Sequence, residues 1–258
     1  MLNQALIIAR KELTDALRDS RSIISTLLYC LMGPGIVFMV STTMNGKDGA
    51  DSVLVGMMSV FVLVSAFSGG MNVAMDILAG ERERQSLLPL LLTAGARRHV
   101  ILGKWAAICC FSTASLVLNV VAFWLALRAH FPAPANAANS VLLWAAGLIP
   151  LALLAAAVEL AISTVCRTLK EAHTYLSMLV FVPTTLGMFT VFFPKLAAGW
   201  GRIAPLIAQQ WQVEHWWRGT GISILPTIAS GVVTALLAAL SLCVAARLLE
   251  RDDVVYGG

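Results

Sequence analysis

Apolar residues are gathered into six long blocks, at residues 23–43, 53–77, 104–127, 141–166, 173–193 and 223–246, and charged residues fall almost entirely between them. About 20 mostly apolar residues cover a hydrocarbon core of about 30 Å at the helical rise, so each block is long enough to cross a bilayer. None shows the short apolar-polar alternation of a barrel strand, and unpaired backbone is costly in lipid. The pattern therefore predicts an all-α integral membrane protein with six transmembrane helices in a single domain, 1–258. Ahead of the first block, Leu6, Ala9, Leu13, Ala16 and Leu17 recur at helical spacing opposite charged positions. This predicts an amphipathic helix over 1–22, lying in the membrane interface or extending as a plain cytosolic helix.

The connections are unequal. The first and third are short, and Pro132 and Pro134 mark the latter as a turn. Residues 194–222 are semi-polar and carry Trp200, Trp211, Trp216 and Trp217. Tryptophan favours the interface, so short helices dipping into the outer leaflet are expected there, with an exposed loop anchored by an aromatic belt as the alternative. Lysine and arginine set the orientation. With the N-terminus inside, 13 of the 18 fall on the cytoplasmic side, which also places the C-terminus there.

Composition sharpens this picture. The chain has 258 residues, 59% hydrophobic and only 12% charged, too few charges to clothe a soluble domain of that size. A formal charge of +4, with no repeated basic face, excludes a nucleic-acid surface. Cys30, Cys109, Cys110, Cys166 and Cys243 lie in or beside apolar blocks without metal or disulfide spacing, and read as small core residues. The mixed charges of the first 21 residues are unlike the basic region of a signal peptide.

The segment between the second and third blocks is the richest in chemistry. It runs Gly80-Glu81-Arg82-Glu83-Arg84-Gln85-Ser86-Leu87-Leu88-Pro89, continues through leucines to Thr93, and is followed by Arg97, Arg98 and His99. Alternating charges suit a solvated helix able to pair with another protein, whereas the leucines need an apolar partner or the bilayer surface. A charged stop followed by a membrane-surface helix with no partner is the alternative.

The run Glu81-Arg82-Glu83-Arg84, with Ser86, the leucines and Thr93, resembles the loop of ABC type-two exporter permeases, which reads approximately as Glu-Arg-Glu, a variable residue, Gly-Thr, an acidic residue and leucines. Gly103-Lys104-Trp105 resembles that family's entry to its third span. Ile162-Ser163-Thr164, Lys170-Glu171-Ala172 and Thr174-Tyr175-Leu176-Ser177 resemble the Nat-type, sodium-exporting branch. Two features depart from it: Pro89 stands where a helix-compatible residue is usual, and only residues 44–52 are available where that branch inserts a large extracytoplasmic domain. The resemblance implies a permease that moves substrate outward when coupled to a separate cytoplasmic ATPase. Glu81, Arg82, Glu83, Arg84, Ser86, Leu87 and Leu88 would form the ATPase-coupling element, and ATP and Mg would be held by the ATPase. A second permease copy, or a related partner, would complete the path.

Within the blocks, Glu159 is the one clear ionisable residue, about two turns from the inner end of the fourth span. An intramembrane carboxylate is costly, so it suggests a cation ligand on the transport path or a partner for a basic group such as Arg167, with contact to interfacial water or a structural ion pair between helices as the alternative. Asp76 reads as a boundary residue. Pro34, Pro150, Pro183 and Pro226 mark bends of no necessary function, and Met32, Met39, Met57, Met58 and Met71 read as packing residues.

Enzyme readings fail on the residues. Gly46-Lys47 and Gly103-Lys104 precede Asp48 and Trp105 rather than a hydroxyl, so neither is a phosphate loop. His99, His130, His173 and His215 sit at or outside the span boundaries, and there is no His-Glu-x-x-His. The alternative to a driven permease is a stand-alone secondary transporter or membrane scaffold, although the buried midplane groups and paired broken helices of carriers are not evident.

Overall fold

The structure, a computed structural model, describes residues 2–44, 49–86, 97–127, 137–193, 199–220 and 223–250. Every regular element among them is helical. The amphipathic N-terminal segment forms α1 (Leu2–Arg18), and the chain then enters α2 (Ser20–Met44). Asp19 breaks the two apart, accepting hydrogen bonds from the Ser22 amide at 3.2 Å and the Ser22 hydroxyl at 2.5 Å, which caps the new helix. α3 (Ala50–Ala74) continues into a π-helical segment, Met75–Gly80, and ends in one further turn, Glu81–Glu83. The remaining elements are α4 (Arg97–Leu127), α5 (Ala137–Val165), α6 (Leu169–Phe192), a 3-10 turn at Trp200–Arg202, α7 (Ile207–Trp217) and α8 (Ile224–Glu250).

Six helices (α2, α3 with its extension, α4, α5, α6 and α8) are long and apolar enough to cross a membrane, which matches the six predicted blocks. Their ends run past the predicted limits, most clearly at Arg97 rather than 104 and Leu169 rather than 173. α3 is the centre of the bundle: 78% of its apolar window is buried, against 17% for α6, so α3 packs on protein where α6 offers its side chains to lipid or to another chain. α8 lies along α5, and α1 lies across α4.

With little hydrophobic drive between helices in lipid, small residues and interhelical hydrogen bonds hold the core. The Ser115 hydroxyl of α4 donates to the Ser65 carbonyl of α3 at 3.0 Å and sits 2.9 Å from the Cys30 thiol of α2, while the Asn119 amide donates to the Cys30 carbonyl at 2.9 Å. All five cysteines are free; Cys30, Cys109 and Cys166 are buried, in keeping with their reading as small core residues, whereas Cys110 and Cys243 are exposed on the outer faces of their helices.

Candidate functional site

The charged run 81–84 lies at one end of the bundle, where α1 meets the end of α3 and the start of α4. α3 finishes there in a sharp stop. The Ser86 amide donates to the Glu81 carbonyl at 2.9 Å and the Gln85 amide to the Arg82 carbonyl at 3.0 Å, the paired bonds of a Schellman cap, with Gln85 at φ 57° in the left-handed region. Glycine adopts that conformation freely, whereas a side chain there costs about 1–2 kcal/mol. Gln85→Gly should accordingly raise stability, by up to about 1 kcal/mol after the extra freedom of the unfolded chain is subtracted, read as a later denaturation midpoint in detergent.

Each charge of the predicted coupling run reaches a different neighbour. Glu81 Oε2 lies 2.8 Å from the Lys104 ammonium. The Arg82 guanidinium donates to the Cys166 carbonyl at 2.5 Å and the Thr164 carbonyl at 2.9 Å, satisfying the last turn of α5. Glu83 Oε2 accepts the Leu169 amide at 2.8 Å, so it caps the start of α6 beside Thr168, whose hydroxyl accepts the Glu171 amide at 3.2 Å. Arg84 pairs with Asp76 at 2.8 Å. Ser86 is exposed and donates to the Glu81 carbonyl at 3.2 Å. Leu87 and Leu88 lie outside the described residues, as do Pro89 and Thr93. The charges expected to face another protein thus make bonds inside this chain.

Lys104 is the node of the cluster. It is fully buried, and its ammonium donates to Glu12 Oε1 of α1 at 3.0 Å and to the Ile77 carbonyl at 2.8 Å, besides facing Glu81. Ile77 sits in the π-helical segment, where the altered bond register aims its carbonyl off the helix. Lys11 closes the arrangement from the solvent side, 3.2 Å from Glu12, 3.6 Å from Glu81 and 3.8 Å from Asp15. Burial alone would lower its pKa, but the three carboxylates outweigh that and hold it above the ordinary lysine value. Gly103 lets α1 come this close: a Cβ there would stand 2.7 Å from the Ala5 carbonyl and 2.8 Å from Ile8. One charge cluster therefore ties α1, the end of α3 and the start of α4 together, while Arg82 and Glu83 extend it to the α5–α6 junction.

Glu159 stands apart from this cluster. Its side chain is 1% exposed, and neither oxygen has a hydrogen-bond partner among the described residues. It lies at the junction of α3, α4 and α5, with Oε2 2.6 Å from where a Cβ on Gly70 would stand and the buried, unpartnered Ser112 hydroxyl on the same open edge. No ion pair joins it to Arg167.

At the opposite end of the bundle, α7 is built into the core by a row of buried amides that sequence reasoning passed over. Gln209 donates to Thr234 of α8 at 2.9 Å, Gln212 to Ser230 of α8 at 2.9 Å, and Gln210 to the Gly187 carbonyl of α6 at 3.0 Å. Their signal was the Gln-Gln-x-Gln spacing, which puts three long amides on one helical segment.

Fold and site define a multi-pass helical membrane protein in which a charge cluster among the described residues ties helix ends together. The pattern described as ABC-2 family transporter protein matches residues 6–254, and the chain belongs to that family. It is 36% identical over 154 residues to the ABC transporter permease protein NatB of Bacillus subtilis (strain 168), covering 57% of this chain and 39% of that protein. It is 30% identical over 106 residues to the probable ABC transporter permease protein NosY of Stutzerimonas stutzeri, covering 40% of this chain and 38% of that one. In both cases the match spans about two fifths of the relative's length.

Proposed function

We propose that this chain is the membrane-spanning subunit of an ATP-driven exporter in a bacterial inner membrane, with both termini in the cytoplasm. The observation that carries the reading is the cluster at Lys104, since it joins the helix preceding the first span, the stop of α3 and the entry of α4 into one mechanical unit. In this reading the segment from Ser86 onward, with Leu87 and Leu88, docks on a separate ATPase subunit that holds ATP and Mg. Glu81, Arg82, Glu83 and Arg84 act one step behind it. Their bonds into α1, α4, α5 and α6 would pass a push on the docking segment to those helices at once.

Two copies, or one copy and a related partner, would form the path. An apolar groove of 350 Å³ between α2, α3 and α6, lined by Tyr29, Met32, Phe61, Phe181 and Met188, supports a partner or an apolar cargo at that face. Glu159 is the intramembrane group proposed to act in transport, on the ground that it is buried without a partner.

The test is affinity purification of the tagged protein from native membranes, with mass spectrometry and an ATPase assay on the eluate. A stoichiometric ATPase should co-purify, and Leu87→Ala/Leu88→Ala should reduce it at least about tenfold, equivalent to about 1.4 kcal/mol of docking, without changing the permease's elution position. Undiminished ATPase on the double variant would remove the docking assignment. A wild-type preparation with no nucleotide-binding partner would favour the stand-alone carrier or scaffold.

A further inference from the structure

A cavity of 320 Å³ opens beside α7, between the 3-10 turn at Trp200–Arg202 and the end of α6. It lies at a membrane boundary whichever way the chain is oriented, because α6 stops at Phe192 and α8 starts at Ile224 on either side of it. Its wall carries Arg202, Arg218 and His215, against a single carboxylate, Glu214. Among the described residues neither guanidinium has a carboxylate within ion-pairing distance. Arg202 lies 5.4 Å over the ring of Trp211, and Arg218 donates to the Ser52 hydroxyl at 3.3 Å.

The one carboxylate makes its hydrogen bonds to other groups. Glu214 Oε1 accepts the Ser59 hydroxyl at 3.2 Å and the Gln210 amide at 3.4 Å. Burial pushes its pKa above the ordinary glutamate value, against the opposing pull of those two bonds and of Arg218 and His215. His215 Nδ1 lies 2.9 Å from the Trp211 carbonyl, which can only accept, so that nitrogen carries a hydrogen, and the imidazole stacks against the Trp211 ring with centroids 3.5 Å apart.

We propose that this cavity is a binding site for a phosphate-type oxyanion, held by Arg202 and Arg218 and flanked by the Trp211–His215 pair. The planar fork of arginine matches such an anion, and interfacial tryptophans set the depth at which lipid phosphates lie. The anion is either the headgroup of an acidic phospholipid or free phosphate from the aqueous side, and the two are separated by experiment. Nothing in this assignment depends on an ATPase partner.

The full chain is reconstituted in nanodiscs of phosphatidylcholine with and without phosphatidylglycerol, and bound lipid is read by native mass spectrometry. Thermal midpoints are measured in detergent with and without inorganic phosphate. Selective retention of phosphatidylglycerol, reduced at least about tenfold in Arg202→Gln/Arg218→Gln and partly kept in Arg202→Lys/Arg218→Lys, would establish the site with lipid as its source. A phosphate-induced rise in midpoint that the glutamine pair abolishes, without lipid selectivity, would establish it with a soluble source. The glutamine pair must elute and melt as wild type in the absence of anion; if it does not, the single variants are compared in the same assays. Absence of both effects in the wild type, or their undiminished persistence in the glutamine variants, would overturn the proposal.

Discussion

Lys104→Met is expected to lower stability by about 3–5 kcal/mol, the usual cost of removing one partner from a buried charge cluster. Methionine fills the space left by the lysine stem, so little of the loss comes from packing. The loss comes from Glu12 and Glu81, two carboxylates of low exposure left facing each other with Lys11 alone beside them, and from the freed Ile77 carbonyl. Lys11 cannot replace the missing ammonium, because its side chain is 54% exposed and its attraction is screened by solvent. The same substitution should release α1 from α4, so protease cleavage of the N-terminal segment should speed up well below the global unfolding midpoint. Neutralising the stranded groups in Lys104→Met/Glu12→Gln/Glu81→Gln should restore most of the stability, since the cost lies in unpaired charge. Denaturant titration in detergent measures both variants; a Lys104→Met protein within about 1 kcal/mol of wild type would show that the cluster does not hold α1 in place.

The six spans were legible because lipid imposes one rule, a run of apolar side chains long enough to cross it. The helix ends were not, for a related reason. Hydropathy marks where side chains leave the hydrocarbon, but the backbone of α4 continues through Arg97, Arg98 and His99, and that of α6 through Lys170 and Glu171, as ordered helix. The charged run 81–84 reads from the sequence as a surface for another protein, whereas its side chains bond within this chain. Signs alternating every residue, wound at 3.6 residues per turn, spread around the helix instead of lining one face, so Glu81, Arg82, Glu83 and Arg84 each reach a different neighbour. Alternation at that period therefore reads equally well as four internal anchors. Gln85 occupies the position of glycine in the family's loop pattern, and its positive φ shows the helix stop that the glycine would serve. The buried amides of α7 were hidden because a semi-polar, tryptophan-rich segment carries no period that separates an embedded helix from a loop.

Glu159→Met is expected to make the protein more stable, by about 1–3 kcal/mol, and less active. A buried polar group without a partner carries its full desolvation cost, and an apolar side chain of similar volume removes that cost while keeping the packing of α3, α4 and α5. Gly70 reinforces the point, since it leaves open the space beside Oε2 that any larger residue would close. The proposed role in transport rests on a carboxyl buried without a hydrogen-bond partner among the described residues, the kind of local breach of stability rules that functional sites carry. The informative measurement pairs a denaturation midpoint with substrate-stimulated turnover of the assembled complex. A rise in midpoint with lost stimulation, and retention of stimulation in Glu159→Gln, would identify a polar rather than a charged requirement; loss in both variants would point to the ionisable group itself. A fall in midpoint on Glu159→Met would instead mean that the carboxyl is satisfied within the bundle, for example by water bridging it to Ser112, and its role would be structural.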